Sequence, residues 1–155
     1  EYQKYKSDAF PVVKTSDYSV KVLIGSFADA DAPIVDDITE VSYFDIQLAA
    51  DKHFQHELPA GNNSFIYVFE GDGKFNGQYI PSNALIQLGT KDHTPDFIAG
   101  EEGARFLLVS GKPINESVVQ YGPFVMNSRE EIDEAMRDYQ SNNFVRDRAW
   151  IRREK

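Results

Sequence analysis

The sequence predicts a mainly β fold, a small antiparallel barrel or sandwich closed by one C-terminal α-helix. Three observations carry that expectation. Short runs of alternating apolar and polar residues recur through most of the 155 residues, the pattern of strands buried on one face. Glycine and proline divide these runs at short intervals, as in all-β sandwiches and barrels. After Pro123 the apolar period lengthens behind Ser128 and Glu131, a Ser-x-x-Glu pair that marks a helix start.

Taken in order, the segment up to Val13 sets Tyr2, Tyr5 and Phe10 among charges and approaches its end on Pro11, which suits an extended linker or an edge strand. In YSVKVLI, Tyr18, Val20, Val22 and Ile24 share one face of a strand, Lys21 takes the other, and Gly25 ends it. The acidic, proline-containing ADADAPIVDD that follows Phe27 has no period and reads as a surface loop. In YFDIQLA, Phe44, Ile46 and Leu48 alternate with Asp45 and Gln47, a half-buried strand, and 52–58 reads as its continuation after a turn. FIYVFEGDGKF is a dense aromatic and β-branched strand whose Gly71-Asp72-Gly73 predicts a tight hairpin. Further short strands are expected at 78–80, 84–88, 97–99 and 105–110, spaced by Pro81, Gly89 and Gly103. In the helix, expected over 128–140, Ile132, Ala135, Met136 and Tyr139 share a face that should pack on the barrel. Glu130, Glu131, Asp133 and Glu134 complement the positive end of its dipole.

Composition bounds what such a fold does. The length fits one domain over 1–155. A formal net charge of −9 opposes attraction to nucleic-acid phosphates and to anionic lipid, so neither partner is expected. The exception is a basic tail, Arg146, Arg148, Arg152, Arg153 and Lys155, which reads as a solvated end or a docking strip. With no cysteine, disulfides, thiolate metal sites and a cysteine nucleophile are excluded. EYQKYKSDAF lacks the apolar core of a signal peptide, and no run approaches the ~20 apolar residues of a membrane span. A cytoplasmic protein is expected, with the nucleus open to a eukaryotic one. A start at Glu1 without methionine suggests a piece of a longer chain.

The most specific signal is GKPINESVVQYGPFVMNSREEIDEAMRDYQSNNF, residues 111–144, which resembles the closing segment of the pirin family. The resemblance extends to LPAGNNSFIYVFEGDGKFNG at 58–77, to DAFPVV and to the strand ending in IGSF. It implies the second of two tandem cupin (double-stranded β-helix) barrels, with the N-terminal cupin barrel as its partner. It also implies iron or another divalent metal in that first barrel. Two function classes follow for the parent. One is a metal-dependent quercetin 2,3-dioxygenase; the other is a non-catalytic regulatory role, as a transcription cofactor or a partner of metabolic enzymes. The resemblance further implies a His-x-His pair ahead of FIYVFEG, and its positions fall near Glu57 and Pro59, while His93 is followed by Thr94 and Pro95 rather than by a His-x-Glu pair. It therefore implies no cofactor and no catalytic residue in this domain.

The residues themselves leave weaker candidates. His53, His56 and Glu57 give three metal-ligand types in five positions, but strand alternation puts His53 and Glu57 on one face and His56 on the other. The plainer reading is a solvated His53 and a polar rim His56. His93, flanked by Asp92 and Asp96, reads as a general base or, more simply, as a loop histidine beside turn aspartates. Tyr43, Phe44, Phe54, Phe65, Tyr67, Phe69, Phe75 and Tyr79 read as a flavonoid pocket or as ordinary core, the second favoured because aromatics bury large apolar areas. The glycines of EGDGKFNG lack the following Lys-Ser or Lys-Thr and the helix of a phosphate loop. Tyr2, Tyr5, Phe10 and Trp150, near the two ends, read as an interdomain seam or as untethered termini.

Overall fold

A computed structural model describes residues 4–89 and 94–146. The chain divides into two compact units, one of them Tyr5–Pro113 and the other taking in the described residues from Ile114 onward.

Apart from one 3-10 turn at Ser7–Ala9, the regular structure of the larger unit is antiparallel β. Its strands are β1 (Val12–Lys14), β2 (Tyr18–Ile24), β3 (Ser26–Phe27), β4 (Ala30–Asp31), β5 (Ser42–Leu48), β6 (His53–Gln55), β7 (Asn63–Phe75), β8 (Gln78–Ile80), β9 (Ala84–Leu88) and β10 (Asp96–Gly111). The main sheet runs β1-β2-β5-β10-β7-β8, with β6 also on β10 and β9 also on β7, while β3 and β4 form a separate ribbon. The long strands β7 and β10 serve two parts of this sheet. The second half of β10 lies between β5 and the start of β7, and near its start Phe97 and Ile98 lie between β6 and the end of β7. The alternation read from sequence sets the inward face: Val20 and Val22 of β2, Phe44, Ile46 and Leu48 of β5, Ile66 and Val68 of β7, and Phe97, Phe106 and Leu108 of β10 are buried. Phe54 of β6 completes this core.

Three local expectations are corrected. The hairpin is not at Gly71-Asp72-Gly73, because β7 runs through these residues to Phe75. The chain turns instead at Asn76-Gly77, between the paired Phe75 and Gln78, where both turn residues have positive φ, 49° and 79°, as a two-residue type I′ loop requires. Gly71 and Gly73 serve close approach: a Cβ on Gly71 would stand 2.1 Å from the Gly103 carbonyl oxygen, and one on Gly73 would stand 2.3 Å from that of Ile98. The strands expected at 97–99 and 105–110 are one strand, β10, with a register shift between Ala99 and Ala104, a bulge that bends the strand without ending it. The acidic stretch after Phe27 is only partly a loop, since β4 within it pairs with β3 just ahead of it and Ala32 is buried in the core.

The second unit holds β11 (Val119–Tyr121), β12 (Phe124–Met126) and α1 (Arg129–Gln140). The helix begins where the capping box places it. Ser128 Oγ accepts from the Glu131 N–H at 3.2 Å, and Glu131 Oε2 accepts from the Ser128 N–H at 2.9 Å. Ile132 and Ala135 are buried with Phe124, and Val119, Met126 and Met136 pack against them. The partner found for the helix face is thus the β11–β12 hairpin, whereas the sequence pointed to the barrel. Tyr139, expected on that face, is 68% exposed, its ring meeting those of Phe124 and Phe144. Among the described residues no helix is long and apolar enough to cross a membrane.

Candidate functional site

The metal candidates cluster around β6, and backbone geometry separates them. In β6 the Phe54 side chain points into the core while His53 and Gln55 point out. Register pairing sets His53 opposite Ile98 and Gln55 opposite Asp96, and His53 Nε2 meets the Asp96 Oδ1 across the ladder. Half of the His53 side chain is exposed, as the solvated reading expects. Asp96, read as a turn residue, instead opens β10 and holds this histidine.

His56 goes elsewhere. The strand ends at Gln55, so alternation no longer governs the next side chain. Its ring packs against Phe27, Phe44 and Phe54, with centroid separations of 5.0, 5.5 and 6.5 Å. The rim position expected for it is therefore corrected to a half-buried one inside an aromatic cluster. Burial there holds the imidazole pKa below its ordinary value, with the nearby Glu57 charge opposing in part, because an uncompensated cation is disfavoured among apolar rings. Glu57 itself is exposed, as is Pro59.

Fold and sequence thus bring His53 to Asp96 and His56 to three phenylalanines, and they do not bring the two histidines to a common point. Among the described residues no group of three or more His, Cys, Asp or Glu is placed to hold a metal ion. His93 and Asp92 lie outside the described residues. The interior of the larger unit is filled by fully buried rings, Phe106 lying 5.8 Å from Phe54 and 4.8 Å from Phe97.

The aromatic set divides. Phe44 and Phe54 are core, Phe75 packs against it, and Tyr43, Tyr67 and Phe69 are half-buried, whereas Phe65 and Tyr79 are 37% and 60% exposed. A core reading holds for fewer than half of these side chains. Tyr79 borders a cleft of about 750 Å³ that sequence reasoning missed, lined in part by Asp72, Lys74, Gly100, Glu101 and Glu102. Its phenol donates to Asp72 Oδ2 at 2.9 Å, and this bond raises the phenol pKa, with the Asp72 charge adding to it. The signal for the cleft lay in the glycines of EGDGKFNG, which pull β7 against β10. Neither His53 nor His56 lines it.

On the outer side of the sheet Arg105 makes a bidentate pair with Asp45, at 2.9 and 2.7 Å, and stands over the Phe69 ring at 5.2 Å. Of the terminal aromatics, Tyr5 and Phe10 meet edge to face at 6.0 Å, while Tyr2 and Trp150 lie outside the described residues. In the basic tail Arg146 bonds Asp138 at 2.8 Å and lies 3.5 Å from Glu134; the remaining cations lie outside the described residues.

Comparison with known proteins places this geometry among relatives. Residues 43–145 match the family described as the Pirin C-terminal cupin domain. A Pseudomonas aeruginosa protein provisionally named a quercetin 2,3-dioxygenase is 38% identical over 146 residues, which cover 89% of this chain and 50% of that protein. Pirin of Homo sapiens is 31% identical over 156 residues, covering 97% of this chain and 53% of its own. A solved structure of quercetin 2,3-dioxygenase from Acinetobacter baumannii superposes with a TM-score of 0.78 at 26% identity, over 93% of this chain and 50% of that one. The chain spans about half the length of each of these relatives.

Proposed function

This chain belongs to the pirin family, as its C-terminal cupin domain, and on that premise we propose that it is a metal-free barrel with a structural or interaction role, in a longer protein whose chemistry sits in another barrel. One observation carries the reading. The positions where the resemblance puts a His-x-His pair fall near Glu57 and Pro59, both exposed, and the core of the larger unit is packed with the rings of Phe44, Phe54, Phe97 and Phe106. Carboxylate and imidazole ligands need to converge on one point. A proline side chain has no donor, and buried phenyl rings offer none.

For the parent protein, the relatives named as quercetin 2,3-dioxygenases support an oxygenase that opens the central ring of a flavonol with molecular oxygen. A divalent metal, iron or another, supplies the site that binds the flavonol and positions it for oxygen. In this chain the fold contributes a rigid neighbour to that barrel and no ligand.

Quercetin absorbance is the test. The 155-residue chain, supplied with iron, copper or manganese, should leave it unbleached, while the full-length protein loaded with the same metals should bleach it. Bleaching by the chain alone would overturn the reading. Bleaching by neither would move the parent to the regulatory class, and proteins recovered with it from its native host would then identify the partner.

A further inference from the structure

Across β9, β7 and β10 the outward face of the main sheet carries apolar side chains where a solvated sheet would be polar. In β7 the buried Ile66 and Val68 point inward, which turns Phe65, Tyr67 and Phe69 outward. Register then extends the apolar surface sideways. Leu85 of β9, Tyr67 of β7 and Leu107 of β10 stand in one row, and in the next Phe65 and Val109 stand opposite each other with the polar Gln87 of β9 at the row's edge. Leu85 is 65% exposed and Phe65 37%. Antiparallel sheets that face water on one side alternate apolar-in with polar-out, and a contiguous apolar patch on a sheet face marks a surface that another body covers.

The patch has the anatomy of an interface. Along the Tyr67 row the next residues are Asp45 of β5 and Lys21 of β2, so the apolar centre gives way to charge on that side. Asp45 is fixed by its two bonds to Arg105, and that arginine covers the Phe69 ring. An aromatic and aliphatic centre with an arginine at its margin is the composition that protein interfaces favour.

Resting on the family reading above, we infer that this β9-β7-β10 face is the surface on which the rest of the parent polypeptide, its other barrel, is seated. The relatives are about twice as long as this chain, so on the family reading a body of comparable size is the occupant to expect. Tethering raises its effective concentration, so a modest patch suffices to hold it. A second copy of this chain is disfavoured, because each copy brings a net charge of −9 and like charge opposes self-association. Sheet faces pack on one another through such outward side chains.

Hydroxyl-radical footprinting of the 155-residue chain and of the full-length protein, read by mass spectrometry, tests this directly. Oxidation of Phe65, Tyr67 and Leu85 should be fast in the chain alone and fall several-fold in the full-length protein. Tyr79, which is 60% exposed and borders the acidic cleft, is the internal reference and should keep its rate. Equal rates at Phe65, Tyr67 and Leu85 in the two proteins would overturn the inference. So would protection that develops in the isolated chain as its concentration rises, because the occupant would then be a second copy. Neither outcome depends on the quercetin assay, so the docking face and the division of chemistry fail separately.

Discussion

His56 is the side chain whose environment departs furthest from what its neighbours in sequence suggest. Enclosed by Phe27, Phe44 and Phe54, it is favoured in the neutral form, and its pKa in the fold lies below the ordinary value. Above the unfolded value of about 6.5 both states are neutral and the stabilisation is complete. As pH falls from about 6.5 toward the lower folded value, the unfolded chain takes a proton that the folded one resists, and stability is lost until the folded histidine is protonated as well. Urea unfolding midpoints should therefore drop as pH is lowered below about 6.5, with a one-proton limit of about 1.4 kcal/mol per pH unit from this group. In His56→Phe that part of the slope should vanish, with stability at pH 7 kept or raised; an unchanged slope would place the linked proton elsewhere. Sequence made His53 legible, because alternation within β6 fixes its direction, but it could not do so for His56, which follows the last strand residue. The same limit explains the aromatic set. Phe65, Tyr67 and Phe69 share one parity along β7 and Ile66 and Val68 the other, and the pattern is plain while the choice of inward face is made by β5, β9 and β10 across the sheet.

At the scale of elements, local chemistry was legible where it acts over three or four residues. The Ser128–Glu131 box starts α1 where the sequence puts it, and both reciprocal bonds are formed. Ser128→Ala should destabilise this helix by about 1 kcal/mol, read as faster amide hydrogen exchange in α1 with no change in β10. No difference at α1 would mean that Glu131, which also accepts from the Asn127 N–H, holds the helix start alone. Turns were less legible. Asp72-Gly73 and Asn76-Gly77 carry equally good hairpin signals, and only the pairing of Gly71 and Gly73 with β10 tells which one turns. The β11–β12 hairpin escaped notice because three-residue strands around Gly122 leave too short a run for a period to show.

For the whole molecule, the mainly β architecture and the family were readable, because many weak signals along one chain agree. The filled interior was not, since it depends on which rings converge from distant strands. That interior leads to a simple expectation: titration with iron(II), zinc or manganese should show no stoichiometric uptake by the 155-residue chain, and uptake of one equivalent would locate a site that His53 and His56 do not form. The central strand also governs time. β10 lies between β5 and β7 and carries β6 as well, yet it is the last strand of its unit in the sequence. During synthesis the phenylalanines of β5 and β6 emerge long before Phe97 and Phe106, the rings that complete their packing. Every closing contact spans a long stretch of chain, the circumstance in which β folding is slow and its intermediates are prone to aggregate. The barrel should therefore close only after β10 has left the ribosome, in a single late event, and until then the nascent chain depends on whatever shields its unpaired strands.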